Sequence, residues 1–516
     1  MNKKDRLLAL QYSLYERVRN RIYNITGPDP EELLEYEHSF LSKLPDVHTE
    51  GQIFKFKKSL DTCRLIFFGD FHALPSNQQD YLDLLNYLYF KKNNKKLIVA
   101  LECFSIDDQP YIDAYILGKC DEKEFLTASE YAKNWGFPWQ PIKKILDFAK
   151  NHNLPVVGTN VGKGESFSLS QRDNVFAKHL LTAINEFEGY KLLYLVGEHH
   201  LSTDHLPRQI IEQSGGKYNE NDQMVILSNT DKYYFTSLEE ATDKASTFFS
   251  LGKHNYCILD TPPWGKWLSY LVWQEHVLMQ PGCDTCVHPW AKHGEEQCCY
   301  DTDEYFVECF NFFLKYFGEG ETYQTLCNYF NRVVTVEKEY FRGHEMENTW
   351  AYHRFQHFDS AFFPEKKIIY WKPLSWRGMI SAIAQCLVLK SKTSSLHDTE
   401  AFFYENVKAS LAYYSFLSMF NPVGFLNQSW IKKNLLGHGN RFMLEKNSTM
   451  DRFFSSVYSP YLHSHGIGQS LANLLNKHFQ NREHSYDYVH RLLKADENIW
   501  PVLISDLEKL DYKKHA

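Results

Sequence analysis

The chain contains no run of the roughly 18 or more consecutive apolar residues that a bilayer-spanning helix needs, so no helical membrane span is expected and no membrane partner. Its first ten residues lack an apolar core of signal-peptide length, being interrupted by Lys3, Lys4, Asp5 and Arg6, and no small-residue cleavage site with a following Cys appears; the expectation is a cytoplasmic protein. There is also no long Lys/Arg run. With a formal net charge of -8 and a pI near 6.3, the chain is not built to neutralise a phosphate backbone, and nucleic acid is not an expected partner. Internal repeats at a fixed period and low-complexity segments are absent. Eleven cysteines, an odd number scattered along the chain, do not make a disulfide framework and read mostly as reduced thiols.

What is present is a large globular chain. Its 516 residues exceed one ordinary domain and suggest two or three. Aromatic residues reach 16%, with many of the 33 Tyr and 37 Phe after residue 250; most suit a core, and such a set could also line a flat, apolar ligand pocket. Residues 4–24 and 30–44 read as amphipathic helices separated by Gly27-Pro28-Asp29-Pro30, whose prolines oppose a continuous helix. From about 62 to 260, apolar runs at 63–68, 97–101, 155–158, 191–196, 224–227 and 256–259 alternate with helix-period stretches at 78–90, 142–151, 171–187 and 206–213. That alternation predicts an α/β fold, a mainly parallel sheet with flanking helices. After Pro262-Pro263-Trp264 long helical stretches take over at 267–278, 303–317, 322–333, 376–389, 398–416 and 471–479, with an irregular insertion at 281–299. The expected organisation is a helical cap over 1–50, an α/β domain over 51–262 and a mostly α-helical domain over 263–516.

Three strand ends carry chemistry. In Leu65-Ile66-Phe67-Phe68-Gly69-Asp70-Phe71-His72 a fully apolar run suits a central strand, and Gly69 would let the backbone turn tightly. Asp70 and His72, at i and i+2, share a side if the chain stays extended. The same layout recurs in Leu192-Leu193-Tyr194-Leu195-Val196-Gly197-Glu198-His199-His200. Between them, Glu102 interrupts the apolar run Val99-Ala100-Leu101, and a buried carboxylate needs a cation or a donor beside it. His72, Glu102 and His200 would form a set suited to a divalent metal, Zn, Mn or Fe, with open positions for water or substrate. A metal-bound water could then be the nucleophile, with Asp70, Glu198 or His199 handling protons. The plainer reading of each histidine alone is a loop residue; three such segments at three strand ends favour one site where strands of an open α/β sheet bind ligands.

Gly69 to His72, Glu102 and Gly197 to His200 fall as the two Gly-x-x-His motifs and the Glu of a known superfamily, and the stretch from about 60 to 230 resembles its ChaN-like haem-binding family. The Tiki, TraB/PrgY and erythromycin esterase proteins belong to the same superfamily. Supporting features are Trp135-Gly136-Phe137-Pro138-Trp139, the passage from 142–151 into Leu154-Pro155-Val156-Val157-Gly158-Thr159-Asn160, Arg172-Asp173 opening a helix, and a His-containing loop from His200 to Pro207. The resemblance implies haem or iron binding, with cofactor contacts at Asn160, Arg172 and His205. The relatives also imply an alternative, a metal-dependent peptidase or esterase acting on a peptide or small-molecule substrate. Whether the chain is an enzyme stays open at this point, as does a homo-oligomeric state.

Two further groups need weighing. Cys283, Cys286, His288, His293, Cys298 and Cys299 have zinc-ligand types, but an adjacent Cys-Cys is a poor second half-site; structural zinc, a redox pair and plain thiols all remain open. His353 and His357 stand at i and i+4, one helix face, and read either as a ligand pair or as a polar stripe.

Overall fold

The computed structural model describes residues 3–46, 49–93, 95–162, 167–240, 246–279, 330, 332–335, 350–364, 366–372, 375–389, 399–420, 430–436, 468 and 472. They fall into two compact units, one from Leu10–Ala291 with Leu426–Gly439, the other from Met1–Ala9, Lys292–Phe425 and Asn440–Ala516.

The first unit begins at Leu10, within α1 (Lys3–Thr26), and continues with α2 (Glu31–Lys43). Gly27 ends α1 at φ +74°, a left-handed closure that suits glycine, and its N–H returns 2.8 Å to the Tyr23 carbonyl. Next come β1 (Thr49–Glu50), α3 (Ile53–Thr62), β2 (Leu65–Asp70), α4 (Pro75–Asn86), β3 (Leu97–Ser105), α5 (Gln109–Ile116), α6 (Glu122–Ser129), α7 (Tyr131–Asn134), α8 (Trp139–His152) and β4 (Val156–Asn160). The unit continues with α9 (Leu169–Glu186), β5 (Lys191–Gly197), α10 (Leu206–Gln213), β6 (Gln223–Ser228), α11 (Asp231–Glu240), β7 (Phe248–Gly252), β8 (Asn255–Ile258) and α12 (Pro263–Met279).

Eight strands form one sheet in the order β1-β7-β8-β6-β2-β5-β3-β4. From β8 to β4 every neighbour is parallel, while β7 and β1 add an antiparallel edge. The parallel strands are apolar without alternation because helices cover both faces, as β2 shows with Ile66, Phe67 and Phe68 all wholly buried. Burying each such side chain contributes about 1.5–3 kcal/mol. Trp430, Ile431 and Leu435 join this core; Trp430 packs 4.3 Å from Phe248 and 5.7 Å from Phe56, ring centre to ring centre. The α/β expectation holds, and each of the six apolar runs became a strand.

Some elements depart from expectation. β3 does not stop at Leu101 but runs to Ser105, and its pairing with β4 changes register between Leu101 and Ser105, a bulge that places Glu102 inside the strand. The helix expected over 78–90 starts at Pro75 and passes into a π-helical turn, Tyr87–Lys91. The short strands β1 and β7 and the helices α3, α5, α6, α7 and α11 carried too little periodicity to stand out.

Beyond residue 262 the described residues are mostly helical, with α12, α13 (Trp350–Phe358), α14 (Trp376–Val388) and α15 (Thr399–Phe420). The second unit also holds a three-stranded sheet of β9 (Arg332–Thr335), β10 (Ser360–Phe363) and β11 (Ile368–Trp371), in the order β10-β11-β9. The end of the helix expected over 322–333 is therefore strand: Arg-Val-Val-Thr is β-branched and pairs in parallel with β11. The rest of that helix apart from Phe330, the helices expected over 303–317 and 471–479 apart from Ala472, and the 281–299 insertion with its Cys and His cluster lie outside the described residues. The described cysteines, Cys63, Cys103, Cys120, Cys257 and Cys386, are free thiols. On α13, His353 is buried and His357 exposed, so the pair does not present one common surface. Among the described residues, no helix is long and apolar enough to cross a membrane.

Candidate functional site

The sheet order makes β2, β5 and β3 consecutive neighbours, so three motifs far apart in sequence meet at one carboxyl edge. Asp70 ends β2, and its Oδ2 lies 2.9 Å from His72 Nδ1, as the i, i+2 spacing requires. Gln78, in the second turn of α4, donates to the other oxygen of Asp70 at 2.5 Å. The His72 ring rests against Trp135 and Phe137, with centroids 4.4 and 5.1 Å away. Burial pushes the His72 pKa down, but the Asp70 hydrogen bond and the Glu102 charge outweigh it and hold the pKa above its usual value.

β5 passes at Gly197 into a short 3-10 turn, Glu198–Leu201, and this turn buries His200. His200 Nδ1 is 2.6 Å from Oδ1 of Asp173, and the second oxygen of Asp173 accepts a 2.6 Å bond from the Tyr36 hydroxyl. Asp173 is placed by the start of α9, where Ser168 and Gln171 form a reciprocal capping box. The two histidines are thus held alike: each Nδ1 faces an aspartate, which leaves each Nε2 turned to Glu102. His72 Nε2 is 3.8 Å from Glu102 Oε2, and His200 Nε2 is 3.7 Å from Glu102 Oε1.

Glu102 has both oxygens engaged. Arg172 donates to Oε1 at 2.9 Å and the Gly197 N–H to Oε2 at 2.7 Å. Burial would raise its pKa, yet the charges of His72, His200 and Arg172 and the Gly197 bond together hold it down at about 2. Neither motif glycine has the left-handed backbone that the turn argument implied. At Gly69 the need is space, since a Cβ there would stand 3.2 Å from Glu198 Cβ; a Cβ on Gly197 would meet Glu102 and the His72 ring at 3.4 Å, an ordinary contact.

The other candidates spread around this centre. Glu198 is buried, with Lys266 Nζ and Thr230 Oγ1 each 3.3 Å away, and burial raises its pKa in spite of the lysine. Lys266 also binds Asp231 at 2.7 Å, and it was not singled out by the sequence. His199 faces Phe40, and burial takes its pKa down to about 4. Asn160 accepts from Arg172 at 3.3 Å, and His205 stacks on Tyr36 with its Nδ1 on the His199 carbonyl. These two support neighbours from behind and do not line the cavity. Tyr36 left no signal that could separate it from 32 other tyrosines, whereas Asp173 was visible only as half of the Arg172-Asp173 pair.

Asp70, His72, Glu102, Arg172, Glu198, His199 and His200 all line one cavity of about 490 Å³. Its walls are apolar and aromatic, with Phe40, Phe71, Phe137, Trp267 and Tyr270, and α1 and α2 close one side through Tyr15, Arg19 and Tyr36. The size is that of a small-molecule or cofactor site, about 300–1,000 Å³. Among the described residues no group of three or more His, Cys, Asp or Glu has the geometry of a metal cage.

Residues 56–172 match a family model described as haem-binding uptake, Tiki superfamily, ChaN. Among solved structures, one described as cofacial heme binding to ChaN of Campylobacter jejuni is similar at 14% identity, covering 34% of this chain and 85% of that one, with a TM-score of 0.28. No curated protein sequence matches. Residues 56–172, the segment that holds His72, Glu102 and Arg172, are thus similar to the haem-binding ChaN family of the Tiki superfamily.

Proposed function

We propose that the α/β unit binds haem in the 490 Å³ cavity at the carboxyl ends of β2, β3 and β5. The observation that carries this reading is a pair of imidazoles lining one aromatic-walled cavity, each anchored by an aspartate at Nδ1 and presenting Nε2 away from it. A nitrogen held in that way is pre-oriented as a metal ligand, and imidazole is a common axial ligand of haem iron. Aromatic walls suit the faces of a porphyrin. Arg172 fits its carboxylates, because its buried Nε has no acceptor among the described residues. His72 or His200 would hold the iron, and Asn160 and His205 would steady Arg172 and Tyr36. Bound haem would supply a redox-active iron centre.

A second reading has its own observation: Glu102 lies between the two Nε2 atoms, an arrangement suited to acid–base hydrolysis of a peptide or small-molecule ester. His72 and His200 would move protons at Nε2, with Asp70 orienting and Glu198 or His199 assisting. In its metal-dependent form, with Zn, Mn or Fe on His72, Glu102 and His200, the ion would have to displace Arg172 or the Gly197 amide from Glu102. The residues as they stand do not fit that form, so no step is derived through a metal.

One experiment separates the readings: haemin titration followed in the visible spectrum, with metal content by mass spectrometry, on wild type and on His72→Ala/His200→Ala. Saturable binding with a shifted Soret band, lost in the double variant, is the expected result. A haem spectrum unchanged in the double variant refutes the site. Stoichiometric metal lost in that variant, with no specific haem spectrum, moves the assignment to the hydrolase.

A further inference from the structure

We propose that Tyr36, on α2 and outside the family-matched segment, is a positioning residue that fixes the His200 imidazole through Asp173. This goes one step past the haem reading, and its ligand-binding arm rests on that reading. The Tyr36 hydroxyl donates to Asp173 Oδ2 at 2.6 Å and lies 2.9 Å from His200 Nδ1, while Nδ1 lies 2.6 Å from Asp173 Oδ1. Two acceptors cannot face each other at that distance, so Nδ1 carries the proton and donates to Asp173, with the Tyr36 oxygen as a second acceptor. The three groups form a closed ring. It selects the tautomer in which a neutral His200 keeps its lone pair on Nε2, the atom turned to Glu102.

The phenol is well placed to hold that ring still. Tyr36 is 7% exposed, and burial together with Asp173 keeps its hydroxyl protonated by raising its pKa far above the usual value. Its ring stacks on His205 at 4.2 Å and 13°, and His205 is itself pinned by Ser39 at 3.0 Å and by the His199 carbonyl at 2.7 Å. Asp173 therefore has one oxygen for His200 and one for Tyr36. Without the hydroxyl, the carboxylate can rotate and the imidazole can follow. Losing a partner of this type usually weakens ligand binding or activity about 10- to 100-fold.

The test is Tyr36→Phe, which keeps the stack on His205 and removes one oxygen, compared with wild type and His200→Ala in the full chain. The first measurement is haemin affinity and Soret position. The second, independent of any ligand, is the His200 tautomer from long-range proton–nitrogen correlation spectra, assigned by difference against His200→Ala. We expect about 10-fold weaker haemin binding with a shifted Soret band, and a single Nδ1–H tautomer that becomes a mixture in Tyr36→Phe. Wild-type affinity and an unchanged tautomer in Tyr36→Phe, with binding lost in His200→Ala, would overturn the role of Tyr36 and leave the haem reading standing. If wild type binds no haemin, the haem reading fails alone, and the tautomer decides: a mixture in Tyr36→Phe sustains the positioning role, no change overturns it.

Discussion

Glu102 is the residue on which the site converges, and replacing it with Gln has a calculable effect on acid stability. Its side chain is 4% exposed, so solvent screens its interactions little. Its carboxyl is held at about 2 against an ordinary 4.5, and at about 1.4 kcal/mol per pH unit the difference is worth about 3–4 kcal/mol. Between those two values the folded state binds fewer protons than the unfolded one. The stabilisation is therefore fully present above pH 4.5 and is lost as the pH falls through about 2. His72, whose pKa is held above its usual value, is charged in that window, so its pull on Glu102 persists there. Glu102→Gln keeps the shape and an acceptor for Arg172 but has no proton to bind. Urea unfolding read by pulsed hydrogen exchange in peptides covering 97–105 and 191–197 reports on the α/β unit by itself. With pulses at one fixed pH after equilibration at pH 6, 4.5 and 3, wild type should lose stability more steeply than Glu102→Gln. Parallel acid limbs in the two proteins would refute the reasoning.

Two further perturbations test other parts of the structure. Lys266→Met strands Glu198 and Asp231, and removing one partner of a buried ion pair costs about 3–5 kcal/mol. Because burial already raises the Glu198 pKa, the folded state holds more protons than the unfolded one above pH 4.5, and stability falls as the pH rises through that raised value. The penalty measured by urea unfolding should thus be larger at pH 8 than at pH 5, and equal penalties would count against the pairing. Gly158→Ala places a Cβ 2.6 Å from the Ser105 carbonyl oxygen and 3.1 Å from that of Phe104; backbone cannot yield cheaply, and thermal unfolding should show a loss of about 1–3 kcal/mol. A neutral result would mean that the β3–β4 bulge relaxes.

Much of the parallel sheet was legible because its strands are buried on both faces: a continuous apolar run such as Leu65 to Phe68 has few other homes in a chain of this composition. The small strands β1 and β7 and the sheet of β9, β10 and β11 were not, since strands of two to five residues carry no decisive period. Asp70 and His72 were readable as a pair because extended backbone fixes which side chains share a side. The bulge that turns Glu102 was not readable, since it depends on how β3 meets β4.

By itself the sequence determined the chemistry available at each strand end, two histidines and a glutamate after apolar runs, because local periodicity and residue type are local properties. Only the tertiary structure decided that β3, β5 and β2 lie side by side, that Asp173 and not a neighbour in sequence orients His200, and that Tyr36 closes the ring. Those are contacts across 27 to 164 positions, set by strand order and helix packing and leaving no trace in any window of the chain. Gly69 shows the same division: its place was plain in the motif, while its reason, room for Glu198, exists only once β2 and β5 are adjacent.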